Sequence, residues 1–230
     1  MDNLQDNPPT SEAELLFRCQ RIEGLSIAQL AARLSTTVPT DPLQRKGWVG
    51  LLIERALGAF AGNQPIPDFS GLGIELKTLP VHASGRPAES TFVTSIPLLT
   101  IHQQTWKTSS CYAKLKRVLW LPVEADPRIS FVHRRLGQAI LWSPTPEEEV
   151  VLSRDWSMLS TMISTGHLTN IDARLGDYLQ VRPKAAHGRT LCFGFDEEGN
   201  KIKTLPRGFY LRSVFTASVL AGERSNLGLK

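Results

Sequence analysis

The 230-residue sequence has few cysteines. Cys19, Cys111 and Cys192 are odd in number, at spacings that suit neither a zinc site nor a redox pair. Free thiols in a reducing compartment are expected. Five histidines, His82, His102, His133, His167 and His187, are scattered without metal-ligand spacing. No apolar run approaches the roughly 20 residues that cross a bilayer. The opening Met1-Asp2-Asn3-Leu4-Gln5-Asp6 is acidic and polar, unlike a secretion signal. A soluble, cytoplasmic protein with no membrane partner is expected. Repeats and low-complexity tracts are missing too, and a charged fraction of 21% excludes a highly charged disordered chain.

What is present is an ordinary globular composition, 41% hydrophobic, enough for one large domain or two lobes around a core. The net charge of +4 is unevenly spread. Residues 1–115 carry ten acidic and ten basic side chains, so the whole excess lies in 116–230. The stretch from Arg174 to Arg212 holds eight Lys/Arg against four Asp/Glu. Either a solvated basic face or a surface for a polyanion fits that imbalance.

Ser11 and Glu14 are spaced as a capping box ahead of Leu15, Leu16, Cys19 and Ile22, and Gly24 closes that helix. A second short helix should start at Ser26. A strongly apolar helix is expected over about 43–61, with Glu54 inside it, on a thin solvent stripe or aimed at a cation. From Leu72 to Leu79 the pattern switches to period two, a half-buried strand. Further strands are expected over 91–96, 117–123, 138–142, 178–182, 190–195 and 207–212. Thr145-Pro146-Glu147-Glu148-Glu149 starts a helix running to about Ser164, and a last helix is expected over 214–221. Strands and helices without strict alternation predict a mixed-sheet α/β or α+β fold. Trp106, Trp120, Trp142 and Trp156 are expected in core or lobe-interface packing.

Glu75 and Lys77 stand two apart on the predicted strand, so their side chains leave one face. Pro67-Asp68 precedes them by a short glycine-containing loop, through which Asp68 can turn back beside Glu75. Two carboxylates and an ammonium at one point make a hard-cation site suited to Mg²⁺ and phosphodiester hydrolysis. Composition alone yields about one acid-x-Lys triplet by chance, so a surface strand with a cross-face ion pair fits the same residues.

A longer series of blocks adds to this. Arg45 to Glu54, Pro67-Asp68-Phe69, Gly73 to Thr78, Gly85-Arg86-Pro87, Thr91-Phe92-Val93, Lys114 to Trp120, Leu141 to Pro144, Tyr178 to Ala186 and Thr204 to Leu211 resemble, in order, the MutH family. That family comprises strand-nicking endonucleases of methyl-directed mismatch repair. The resemblance implies a fold like the type II restriction endonucleases: a mixed sheet flanked by helices, in two arms around a DNA cleft. It implies one endonuclease domain over 1–230, with a catalytic arm over 1–105 and a recognition arm over 106–230. Asp68, Glu75 and Leu76 would hold one or two Mg²⁺ ions, Lys77 would handle the attacking water, and Glu54 would complete the acidic cluster.

The family cuts 5′ of the G in hemimethylated GATC, on the unmethylated strand. On this chain Arg182, Pro183 and Lys184 would meet the site, with Arg182 read either as a guanine contact or as a phosphate contact. Tyr210 would pack near the adenine that methylation modifies. Phe92 would touch DNA from the other arm or sit in the core. Lys46, Lys114 and Lys116 would meet backbone phosphate. The implied partners are hemimethylated duplex DNA, MutL as activator and MutS indirectly, with the chain a monomer and the C-terminal helix after Val214 facing MutL. Two rival readings remain: a GATC-cutting restriction-type endonuclease, and a non-catalytic DNA-binding module of the same fold.

Overall fold

The computed structural model describes residues 7–59, 66–184 and 190–226, with Lys46 and residues 223–226 described in backbone only. In chain order the elements are α1 (Glu12–Ile22), α2 (Ile27–Arg33), α3 (Pro42–Leu57), β1 (Glu75–Val81), β2 (Thr91–Ser95), α4 (Ser110–Leu115), β3 (Val118–Glu124), β4 (Ile140–Trp142), α5 (Pro146–Ser164), β5 (Leu179–Pro183), β6 (Cys192–Phe195), β7 (Lys201–Thr204), β8 (Arg207–Leu211) and α6 (Ser213–Asn226). Small sheets flanked by helices make this a mixed α/β protein, the class expected from its sequence.

The helix starts follow their capping residues. Ser26 and Gln29 form a full box at α2, and Thr145 and Glu148 form another at α5. At α1 the reciprocity shifts by one residue. Ser11 Oγ still accepts from Glu14 N–H at 3.1 Å, but the Glu14 carboxylate reaches back to Thr10 N–H and Oγ1, both at 2.8 Å. Gly58 ends α3 with φ at 78°, a left-handed C-cap that L side chains resist. The helix expected to run to about 61 thus stops at Leu57; residues 58 and 59 lie beyond it, and 60 and 61 fall outside the described residues.

The chain divides into two compact units that interleave. Unit 1 comprises Met1–Glu89, Arg117–Trp142 and Ala217–Lys230; unit 2 comprises Ser90–Lys116 and Ser143–Thr216. A single boundary near residue 105, as anticipated, does not describe this division. The reason is the pairing of β1 with β3, which is parallel. Parallel neighbours need a long crossover, and here the crossover contains β2 and α4 of unit 2.

In unit 1 the sheet order is β1-β3-β4. β3 is buried from Val118 to Val123, an unbroken apolar run rather than an alternating one. Leu15 and Ile22 of α1, Leu30 of α2, Ile53 and Leu57 of α3 and Leu76, Leu119 and Leu121 of the sheet share one core. Each such side chain contributes about 1.5–3 kcal/mol by leaving water. Trp120 packs on Trp142 in this unit.

In unit 2 the antiparallel sheet has the order β2-β8-β5, and β6-β7 forms a separate ribbon. Leu159 and Ile163 of α5 are buried, and its Trp156 packs on Trp106. All four expected tryptophans are therefore packing residues, two inside each unit. Neither α4 nor β7 was anticipated, since both are short and carry no clear apolar period.

Candidate active site

The loop before β1 brings Asp68 back alongside the strand. Phe69 and Ile74 exchange backbone hydrogen bonds of 2.9 and 3.3 Å, and Gly73 takes φ of 68°. The chain thus reverses between Asp68 and Glu75. Asp68 Oδ2 accepts from the backbone N–H of Leu76 at 2.9 Å. Glu75 N–H points the other way, donating to Arg117 O just ahead of β3. Backbone groups of neighbouring strand residues leave by opposite edges, so the N–H and carbonyl of Leu76 both leave by Asp68's edge.

Glu75 is 1% exposed, where the period-two pattern suggested a solvated polar face. Lys77 Nζ donates to Glu75 Oε1 at 2.6 Å, and the lysine side chain is only 11% exposed. Burying two opposite charges costs several kcal/mol per ion. Leu76, Leu79 and Val81 occupy the neighbouring buried positions of the strand. A surface ion pair, the alternative reading, does not describe this environment.

Glu54 reaches the same strand from α3. A Cβ added to Gly50 would stand 3.8 Å from Thr78 Oγ1 and 3.9 Å from Glu54 Oε1. Both distances are ordinary contacts, so Thr78 and the Glu54 carboxylate each border Gly50 where α3 packs against β1. Among the described residues, however, no three His, Cys, Asp or Glu side chains gather as a ready metal-binding group. Glu54 therefore does not close a three-carboxylate cluster with Asp68 and Glu75 in this structure. The donors at β1 are all hard oxygens: two carboxylates and the Leu76 carbonyl. Such a set fits Mg²⁺ or a similar divalent cation.

The residues expected to meet DNA fall into three groups. Phe92, Tyr210, Arg182, Pro183 and Lys184 lie together in unit 2, because β8 sits between β2 and β5. Tyr210 is opposite Phe92 on one side and Gln180 on the other. The rings of Phe92 and Tyr210 meet edge to face at 5.3 Å. Lys184 Nζ sits 3.8 Å from the Phe92 ring centre and 3.0 Å from Ser95 Oγ. Gly208 makes this seating possible, since a Cβ there would stand 2.8 Å from Phe92 Cε2. Phe92 thus belongs with Tyr210, not with the catalytic residues as the expected lobes placed it.

Arg182, Pro183 and Lys184 are exposed at the end of β5. Lys114 and Lys116 form a second group at the end of α4, half-buried and exposed respectively. Lys46 stands alone on α3, with its side chain outside the described residues. Residues 185–189, with Ala185, Ala186 and His187, also lie outside the described residues.

Comparison with known proteins decides the relationship. Residues 57–155, which include Asp68, Glu75 and Lys77, match the family of the DNA mismatch repair enzyme MutH. The DNA mismatch repair protein MutH of Vibrio cholerae is 50% identical over 212 residues, covering 92% of this chain and 96% of its own. The Vibrio vulnificus protein of the same name is 49% identical over 219 residues, covering 95% and 96%. That of Escherichia coli is 47% identical over 215 residues, covering 94% of each chain. The chain belongs to the MutH family. It is a DNA mismatch repair enzyme, and most of the blocks that carried the resemblance lie on or beside the elements just described.

Two further polar residues escaped the sequence reading. Gln180 on β5 is buried beside Tyr210, and its Nε2 donates to Ser90 Oγ at 2.8 Å. Asp155 on α5 is 1% exposed. A signal was present for the latter: it interrupts the apolar series Leu152, Trp156, Leu159 and Ile163 at helical spacing.

Proposed function

We propose that the chain is a divalent-cation-dependent endonuclease that nicks the unmethylated strand 5′ of hemimethylated GATC, with Mg²⁺ as its ion and MutL as its activator. The observation that carries the reading is the buried Glu75–Lys77 pair on β1 with Asp68 turned back onto Leu76 N–H. Membership in a mismatch-repair family supplies the setting.

Asp68, Glu75 and the Leu76 carbonyl are the groups that would hold the ion, which when bound would neutralise phosphate charge and lower the pKa of a water ligand. Lys77, on the same face of β1 as Glu75, would orient the attacking water and stabilise the negative charge that grows on phosphate oxygen. Water adds to phosphorus, one P–O bond of the backbone breaks, and a proton ends on the departing sugar oxygen. Glu54, at Thr78, adds negative potential that raises the local cation concentration.

Unit 2 supplies recognition in this reading. Arg182 presents a fork able to bond a guanine edge, and Lys184 lies over Phe92 beside it. Tyr210 is half-buried, held edge-on by Phe92. A phenol fixed in this way has little room to yield, so an added N6-methyl would clash with it. Lys46, Lys114 and Lys116 contact backbone phosphate. MutS acts on the chain only through MutL, the chain acts as a monomer, and α6 is the surface offered to MutL.

The test is a supercoiled plasmid bearing GATC, incubated with the protein in Mg²⁺ or EDTA, with or without MutL. Open circles that form only with Mg²⁺, and faster with MutL, support the reading. A plasmid left closed under all conditions overturns it. Linear product from one binding event would instead favour a restriction-type enzyme.

A further inference from the structure

The buried carboxylate of Asp155 in unit 2 has no part in the chemistry above, yet both of its oxygens are engaged. Its Oδ2 accepts from three consecutive backbone N–H groups: Asp177 at 2.8 Å, Tyr178 at 2.7 Å and Leu179 at 3.0 Å. Its Oδ1 faces Arg154 Nη2 at 3.1 Å. A carboxylate cradled by successive amides is a charge-assisted arrangement, and each such bond contributes more than a neutral one.

The same turn is gripped from its carbonyl side. Arg212, just past β8, donates Nε to Gly176 O at 2.8 Å and Nη2 to Ala173 O at 2.8 Å and Leu175 O at 3.4 Å. Its own backbone N–H donates to Tyr178 O at 2.9 Å. Gly176 takes φ of 81°, and a Cβ there would meet Leu179 O at 1.9 Å, so only glycine fits. Tyr178 stacks on Phe215 with ring centres 4.0 Å apart. An anion on the amide side and a cation on the carbonyl side leave residues 173–179 little freedom.

This turn leads into β5. Among the described residues β5 is an edge strand paired with β8 alone, with Gln180 opposite Tyr210 and Arg182 opposite Gly208. A slip of one residue would send every side chain of β5 to the other face. Leu179, whose amide Asp155 holds, lies three residues before Arg182.

We propose that Asp155 and Arg212 are positioning residues for sequence recognition: together they set the register of β5 on β8, and so the aim of Arg182 and Lys184 relative to Tyr210. The proposal rests on the reading of those three residues as the GATC contacts.

The experiment measures cutting of GATC against sites with one substituted base pair, for the full chain with Mg²⁺ and MutL. Four variants are compared with the parent: Asp155→Asn, Arg212→Lys, Arg182→Ala and, as a stability control on the same helix, Leu159→Ala. Thermal melts establish that each is folded at the assay temperature. Asp155→Asn and Arg212→Lys should each lower the preference for GATC about tenfold, in line with a partly lost Arg182 contact, while Leu159→Ala, destabilised at least as much, keeps the parent preference.

An unchanged preference in the two positioning variants, alongside a loss in Arg182→Ala, overturns the proposal and leaves the recognition reading intact. An unchanged preference in Arg182→Ala itself overturns the recognition reading. Should Asp155→Asn fail to fold, Arg212→Lys decides from the other side of the turn. Failure of both to fold shows a folding element, not a positioning one, and overturns the proposal as well.

Discussion

Unit 1 closes its pair of opposite charges away from water on β1, whereas unit 2 holds Arg182 and Lys184 out in solvent at the end of β5. The same kinds of side chain are thus kept in two electrical environments. A buried charge feels its neighbours strongly because little water screens it. In the proposed reading, that suits a group acting on one phosphorus atom. An exposed guanidinium keeps its hydration until a base edge replaces it, which suits discrimination between similar partners. The contrast makes separable demands: disturbing β1 should change chemistry and stability together, while disturbing the end of β5 should change selectivity alone.

The largest effect is expected on β1. Glu75→Ala leaves the Lys77 ammonium buried without its carboxylate, and should lower stability by about 3–5 kcal/mol. Nicking should fall by about a thousandfold or more, from loss of a cation ligand. The double variant Glu75→Leu/Lys77→Met separates the two effects. Thermal melts should show most of the stability restored, since an apolar pair can replace a buried ion pair, while plasmid nicking stays absent. Recovery of nicking in that variant would remove the catalytic role from both residues.

Next come the exposed residues. Arg182→Ala should cost about 1–3 kcal/mol of discrimination between GATC and a site altered at guanine, with a melting curve shifted by less than about 0.5 kcal/mol. Tyr210→Ala should raise cutting of methylated relative to unmethylated sites. An unchanged ratio would assign Tyr210 to packing against Phe92. Lys114→Ala and Lys116→Ala together should reduce the salt slope of DNA binding by about two units, without altering sequence preference.

The smallest effect concerns unit 1 at low pH. Hydrogen bonds from Thr10, backbone first and then side chain, and next from Arg18 hold the Glu14 carboxyl down at about 2, against an ordinary 4.5. A carboxyl with a lowered folded pKa contributes stability that is complete above its unfolded value and is lost as pH falls through the folded one. The window is therefore about pH 4.5 down to 2. Glu14→Gln should lose that contribution at neutral pH, flatten the acid limb of stability in that range, and converge with the parent near pH 2. Acid melts of the two proteins, compared point by point, check this.

Much of this was readable beforehand, for reasons that differ by element. Helix starts were legible because capping is local: Ser26, Thr145 and Ser11 act on residues three positions away. Asp68, Glu75 and Lys77 were singled out because strand alternation and a glycine loop are also local. The burial of Glu75 was not legible, since it depends on packing that no alternation reveals. The placement of Phe92 beside Tyr210 depends on β8 lying between two strands distant in sequence. The interleaving of the units depends on the parallel pairing of β1 with β3, a long-range choice that sequence periodicity does not encode. Asp155 was visible as an interruption in an apolar stripe, but its meaning came only with the three amides that it holds.

The order in which the chain visits its two units has a consequence for how this protein is made and how it can change. Glu75 lies on a strand whose parallel neighbour is synthesised some forty residues later, after a detour through the other unit. A nascent chain has the complete sheet around β1 only once residue 142 has been made. For the same reason no contiguous segment can be lifted out as a recognition cassette and joined to another nuclease. New target preferences must arise by point substitution within an intact whole.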